Sequence, residues 1–299
     1  MQPLLFVEAG ERAPQRLRRK ALDAADSLLG VLDAVARNEP RAVHDARRRL
    51  KELRALASLA GAGKHERRFF RDAGRQLSAA RDAKAAVEAF DRLRERFAPE
   101  WTPRQYQKIR RALKARLGPA IDAVTLENLR RSLLIERGRI AAWDVDEMRS
   151  DDLRSALARS YRRARRGMRR ALEARSVAAI HAWRKRVKRY VYDVQFLTDV
   201  AVVPRDASLD ALWELSRTLG RYHDLALIDD LCRHDFEPFG SRRYVHRFRT
   251  YVERALAELF ETAERAGREL FADRVRVRIG PKKSPRRLTR VRTPRANAG

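Results

Sequence analysis

The chain has 299 residues, with 68 basic and 40 acidic side chains and a formal net charge of +28 at pH 7. Apolar residues make up 44 % and Gly and Pro number only 13 and 11, which excludes a chain disordered throughout and favours long helices over strands. The single cysteine, Cys232, excludes an internal disulfide and any multi-cysteine zinc site.

The N-terminal run MQPLLFVEAGER lacks a basic n-region and is broken at Glu8. No stretch approaches the ~20 apolar residues that a membrane-spanning helix needs. A soluble protein of a reducing, cytoplasmic compartment is expected. Such a length fits one large domain or two of ordinary size.

Helical spacing of Leu17, Ala21, Leu22, Ala25, Leu28, Leu29, Leu32 and Val35 predicts a first helix over 12–37. Asn38-Glu39-Pro40 interrupts it, with Pro40 suited to the first turn of a second helix that fades at GAGK, 61–64. A third pattern covers 65–97. A fourth helix is expected over 101–118, with Thr102 as N-cap and Pro103 at the first position. A fifth, over 119–142, links the halves.

The second half repeats the plan. Helices are expected over 150–174 (with Ser150 and Asp151 as caps), 176–200, 206–232 and 241–271. The expected architecture is all-α: two similar four-helix repeats, about 12–142 and 150–272, packed as one helical domain over 5–272. Residues 273–299 read as a basic, disordered tail, with a short strand at 275–279 as the lesser alternative. Residues 274–299 hold 10 of the basic residues and no acidic one, so the rest of the chain keeps 58 basic against 40 acidic groups. The excess charge therefore belongs to the folded part as well.

One arrangement is written twice. VHDARRRLKELR (43–54) and IHAWRKRVKR (180–189) each place a histidine at the head of a packed basic run. At about 100° per residue, Ala46, Leu50, Leu53 and Ala57 share one sector of the first helix. His44, Arg47, Arg48, Lys51 and Arg54 share another. In the second copy Ile180, Trp183, Val187, Tyr190 and Val194 form the apolar sector, opposite His181, Arg184, Lys185 and Lys188. A solvated face normally interleaves acids at i, i+4, because crowded like charges destabilise a helix. Only Glu52 interrupts the first stripe, and no acid lies between 181 and 188.

LSAARD (77–82) and LGRYHD (219–224) also correspond between the halves. These paired features resemble the CHAD family, the conserved histidine α-helical domain, over about 5–272. The resemblance implies a helical fold with two repeats, and binding of inorganic polyphosphate along a basic groove or pore between them, at polyphosphate granules. It implies that His44, Arg47, Arg48, Lys51, Arg54, His181, Arg184, Lys185 and Lys188 contact polyphosphate. Two positions depart from the family pattern: Val191 stands where a further basic residue is usual, and Ser78 replaces the glycine of the first Leu-Gly element. The triphosphate-handling β-barrel often fused to this family, with its ExExK signature, is absent from the sequence.

Further candidate anion contacts are Arg16, Arg19, Lys20, Arg81, Arg162, Arg166, Arg221 and His223, with plain surface charge as the alternative. Polyphosphate presents oxygens on all sides. Its site needs repeated donors rather than a shaped pocket: arginine for bidentate contacts, lysine as a point charge, and histidine as a donor that an adjacent phosphate makes cationic. The rival reading is nonspecific nucleic-acid binding through the basic surface and tail. No zinc-finger or RNA-recognition signature accompanies it, and Trp183, Tyr190, Phe196 and Trp213 fit core positions better than a stacking platform.

Metal ligation at the His motifs is weaker still. His44, His65, His181, His223, His234 and His246 contain no H-x-x-x-H pair, and Cys232 and His234 stand as an isolated near-neighbour pair. No cofactor is implied. The acids Asp82 and Asp224 each read as a helix cap or an orienter of a basic neighbour, not as members of a carboxylate group for catalysis. The expectation is a noncatalytic binder.

Overall fold

A computed structural model describes residues 12–39, 41–77, 87–95, 102–115, 121–200, 202, 208–234 and 242–272. Its helices are α1 (Ala13–Ala36), α2 (Ala42–Leu59), α3 (Lys64–Gln76), α4 (87–95), α5 (Pro103–Ala115), α6 (Ala123–Ala141), α7 (Ser150–Ala174), α8 (Val177–Asp199), α9 (Ser208–His234) and α10 (Arg242–Leu270). No strand occurs among the described residues. The all-α expectation holds, and most helix ends fall within a few residues of those predicted; the exception is the third pattern, 65–97, where α3 already ends at Gln76 and α4 is a separate helix. Pro40, Ser78, Arg81, Asp82 and the tail, including 275–279, lie outside the described residues.

Local chemistry fixes several helix starts. Thr102 Oγ1 accepts from the Gln105 amide at 3.4 Å, as its N-cap role predicts. Asp122 accepts from the Thr125 amide at 2.8 Å, and Ser176 from the Ala179 amide at 3.3 Å. The start of α7 differs from expectation: Arg149 is the N-cap, and its amide donates to the Asp152 carboxylate at 2.9 Å. An acid two positions inside the helix thus does what Ser150 and Asp151 were expected to do. The α1–α2 turn uses left-handed Asn38 and Arg41, and the α7–α8 turn uses left-handed Arg175, with φ of 54°, 69° and 44°.

Three apolar clusters hold the fold. The first joins α1, α2, α3 and α6 to the start of α7 and the end of α8. Arg130 and Arg137 of α6 pin it further, by ion pairs to Asp33 and Asp26 of α1. The second joins α7 to α10 around Trp183, which is 0 % exposed. The third mixes the halves: Phe90 and Leu93 of α4 and Ile109 and Leu113 of α5 pack with Ile228 of α9 and Phe248 and Val252 of α10. This third cluster draws on helices of both halves. Periodicity tells which face of a helix is buried, but not which helix buries it.

Close packing around Trp183 gives one expectation for stability. A Cβ at Gly267 would lie 2.8 Å from Trp183 Cζ2, whereas one at Gly30, inside α1, meets nothing within 4 Å. Gly267→Ala should lower stability by roughly 1–3 kcal/mol through overpacking. Gly30→Ala should raise it by about 0.5–1 kcal/mol through helix propensity. Urea unfolding of the two variants checks both signs.

Candidate functional site

The two repeated motifs sit on α2 and α8, which pack against each other. Their apolar sectors are buried as the periodicity requires: Ala46, Leu50, Leu53 and Ala57 on one, and Ile180, Trp183, Val187 and Val194 on the other. The opposite sectors stand at the mouth of a cavity of about 380 Å³ bounded by α2, α3, α8 and α9. Arg47, Lys51 and Arg54 line it from the first motif, and His181, Arg184, Lys185 and Lys188 from the second. Among the further candidates, His223 of α9 joins them.

The remaining predicted residues fall elsewhere. His44 and Arg48 are exposed on α2 and do not line the cavity. Arg16, Arg19 and Lys20 also stay outside it, and Lys20 lies 3.9 Å from Glu52. Arg162 and Arg166 point to solvent from α7. Arg221 lines a separate, largely apolar cavity of about 390 Å³ beside α4 and α10.

Four features were not anticipated. Arg71 and Arg75 of α3 line the site, and both approach Asp72, at 2.9 and 3.5 Å. Their i, i+4 spacing, which continues back to Arg67, was the available signal.

Arg189 is the second feature. Its guanidinium donates to the Arg54 and Ala55 carbonyls of α2, both at 2.9 Å, and to Asp193 at 2.7 Å. It thus ties α8 to α2 and sets the two basic stripes in register. Asp193 is 1 % exposed; burial pushes its carboxyl pKa up, partly offset by Arg189 and by a hydrogen bond from Ser160.

The third is another cationic cavity, of about 510 Å³, lined by Arg67, Arg159, Arg163 and Arg186 and sharing Arg54, Lys185 and Arg189 with the first. The cationic lining is therefore continuous from one cavity to the next.

The fourth concerns Asp224. It was expected at a helix start, but α9 runs unbroken from Ser208 to His234 and places it mid-helix. It cannot cap. It lines the site and approaches Arg92 of α4 at 3.9 Å, so the orienting half of the expectation fits and the capping half does not.

Lys188 is positioned by aromatics. Its ammonium lies 5.1 Å from the Trp213 ring and 5.7 Å from Tyr192, whose rings meet edge-on. Trp213 and Tyr190 are half-buried and pack against the second apolar cluster, and Trp183 and Phe196 are core residues, as expected. Val191, where the family pattern has a basic residue, is 0 % exposed; it serves packing.

Crowding shows in the titration of the wall. Burial, then Arg189 and Arg71, lowers the pKa of Arg54. Burial, then Arg184, Arg54 and Arg75, lowers that of Lys185. An anion entering here relieves repulsion among cations that the fold holds together. Elsewhere, burial pushes the Cys232 thiol up to about 12, a setting for an inert rather than a reactive cysteine. Among the described residues no group of three or more His, Cys, Asp or Glu is placed to hold a metal ion, and no helix is long and apolar enough to cross a membrane.

Fold and site together define an all-α protein in which two histidine-headed helices wall one cationic cavity. The chain belongs to the CHAD domain family, which matches residues 19–233. That span runs from α1 nearly to the end of α9 and is shorter than the 5–272 expected, although α10 packs on α9 in the same fold. No curated protein and no solved structure matches the chain.

Proposed function

We propose that this protein is a noncatalytic binder of inorganic polyphosphate, holding the chain in the cationic cavity between α2 and α8 and associating through it with polyphosphate granules in the cytoplasm. The observation that carries the reading is the meeting of six Lys and Arg side chains and His181, from motifs 137 positions apart, in one cavity. Membership of the CHAD family, which is linked to polyphosphate as a class, supports it. The chemistry fits. Hydrogen bonds to charged groups contribute ~1.5–3 kcal/mol each when sheltered, so several guanidinium contacts suffice for tight, salt-sensitive binding. The continuous lining offers a linear polymer more than one set of donors.

A competition titration with long polyphosphate, short polyphosphate and duplex DNA at matched salt tests the proposal. Long polyphosphate should compete best, and binding should survive deletion of 274–299. Ligand should also raise the melting temperature, because it binds the folded state and relieves the crowding at Arg54 and Lys185. Preference for DNA, or loss of binding with the tail, would move the function to nonspecific nucleic-acid contact.

A further inference from the structure

His181 and His223 meet inside the cavity. Their Nδ1 atoms lie 3.1 Å apart, with ring centroids 4.3 Å apart and planes tilted by 46°. Two ring nitrogens at that distance need one N–H and one lone pair between them. Two imidazolium rings would set N–H against N–H and break the contact. The neutral pair holds two ring protons. One lies in the bridge, so only one of the two Nε2 atoms is a donor. A third proton changes both properties at once: the pair becomes a cation, and both Nε2 atoms carry N–H.

We propose that the His181–His223 pair takes up one proton when a phosphate chain enters the cavity and becomes a two-donor cationic clamp, so that binding strengthens as pH falls. The inference rests on the polyphosphate reading above and adds a proton to it.

Every packed element contributes to the field at the pair. From α2 come Arg47, Lys51 and Arg54, and from α3 Arg71 and Arg75. From α8 come Arg184, Lys185, Lys188 and Arg189, and α9 supplies Asp224, the one carboxylate among the described residues lining this cavity. Arg92 of α4 already stands 3.9 Å from that carboxylate. Without an anion this wall opposes a third proton on the pair. A chain carrying one negative charge per phosphate reverses the sign of the local field and favours it. The bound form then holds more protons than the free form, and by linkage affinity rises as protons become more available.

Calorimetric titration of the full-length protein with long-chain polyphosphate, in buffers of different ionisation enthalpy, counts the protons directly. Interior units of a long chain are strong acids, so few titratable chain ends contribute. Uptake should approach one proton per occupied cavity. Affinity should rise as pH falls through the range in which the pair titrates, by up to ~10-fold per pH unit. His181→Asn and His223→Asn should each flatten this dependence and remove the uptake. His65→Asn, beside Glu136 and outside both cationic cavities, should keep them. Tight binding without proton uptake overturns the inference and leaves the polyphosphate reading standing. Uptake that persists in both Asn variants also overturns it, because the proton then sits outside the pair. Failure of the wild type to bind polyphosphate at any pH overturns both.

Discussion

Reversing two charges on α8, as Arg184→Glu with Lys188→Glu, should weaken long-chain polyphosphate binding by roughly two to four orders of magnitude. The size follows from the loss of two charge-assisted contacts at ~1.5–3 kcal/mol each. Reversal of Arg47 and Lys51 on α2 should have an effect of the same order, because both pairs line one cavity. All four side chains lie on the half-exposed sector of their helices, so circular dichroism should report unchanged helicity. Arg162 and Arg166, exposed on α7 and outside both cationic cavities, supply the contrast. Their reversal changes the same net charge, yet should weaken binding far less, since exposed charges act only through a screened field. Unchanged affinity in both the α2 and the α8 variants would remove the cavity from the mechanism.

The largest stability effect is expected at Arg189. Its replacement by methionine leaves Asp193 buried without its cation and removes the bonds to the Arg54 and Ala55 carbonyls. Breaking a buried pair in this way typically costs about 3–5 kcal/mol. Asp193→Asn combined with Arg189→Met should recover part of the loss, because a neutral amide needs no counter-charge. Denaturant midpoints of the two single variants and the double variant form a cycle that isolates the pair. A cost below about 1 kcal/mol for Arg189→Met would show that the strut between α2 and α8 is dispensable.

The sequence disclosed the helices because their apolar residues recur at helical spacing, and it disclosed most of the cavity because each motif carries its cations on a single sector. Arg47 with Arg184, and Lys51 with Lys188, could be matched by position before any fold was known. The parts it hid follow from what periodicity omits. His44 heads its motif as His181 does, but only His181 has a histidine of α9 beside it, a matter of neighbouring helices. Arg189 sits between Val187 and Tyr190 of the apolar sector and reads as one more arginine. Its role depends on carbonyls 134 and 135 positions away. Arg71 and Arg75 carry no histidine-headed motif to mark them, and their place beside the cavity depends on how α3 packs against α2. Asp224 read as either a cap or an orienter from its place in LGRYHD, and only the unbroken course of α9 decides between them.

The cluster in which α4 and α5 pack with α9 and α10 bears on how the chain is made. Phe90, Ile109 and Leu113 leave the ribosome long before Phe248 and Val252, the residues that cover them. Until then the first half carries uncovered apolar surface on a strongly basic chain, and its closure is a contact of high sequence separation, formed late and at an entropic cost. A copy of either half released alone would lack the wall that finishes it. The doubled sequence pattern therefore marks halves that are each the other's missing piece, and the cavity exists only once α9, with His223 and Asp224, has been made.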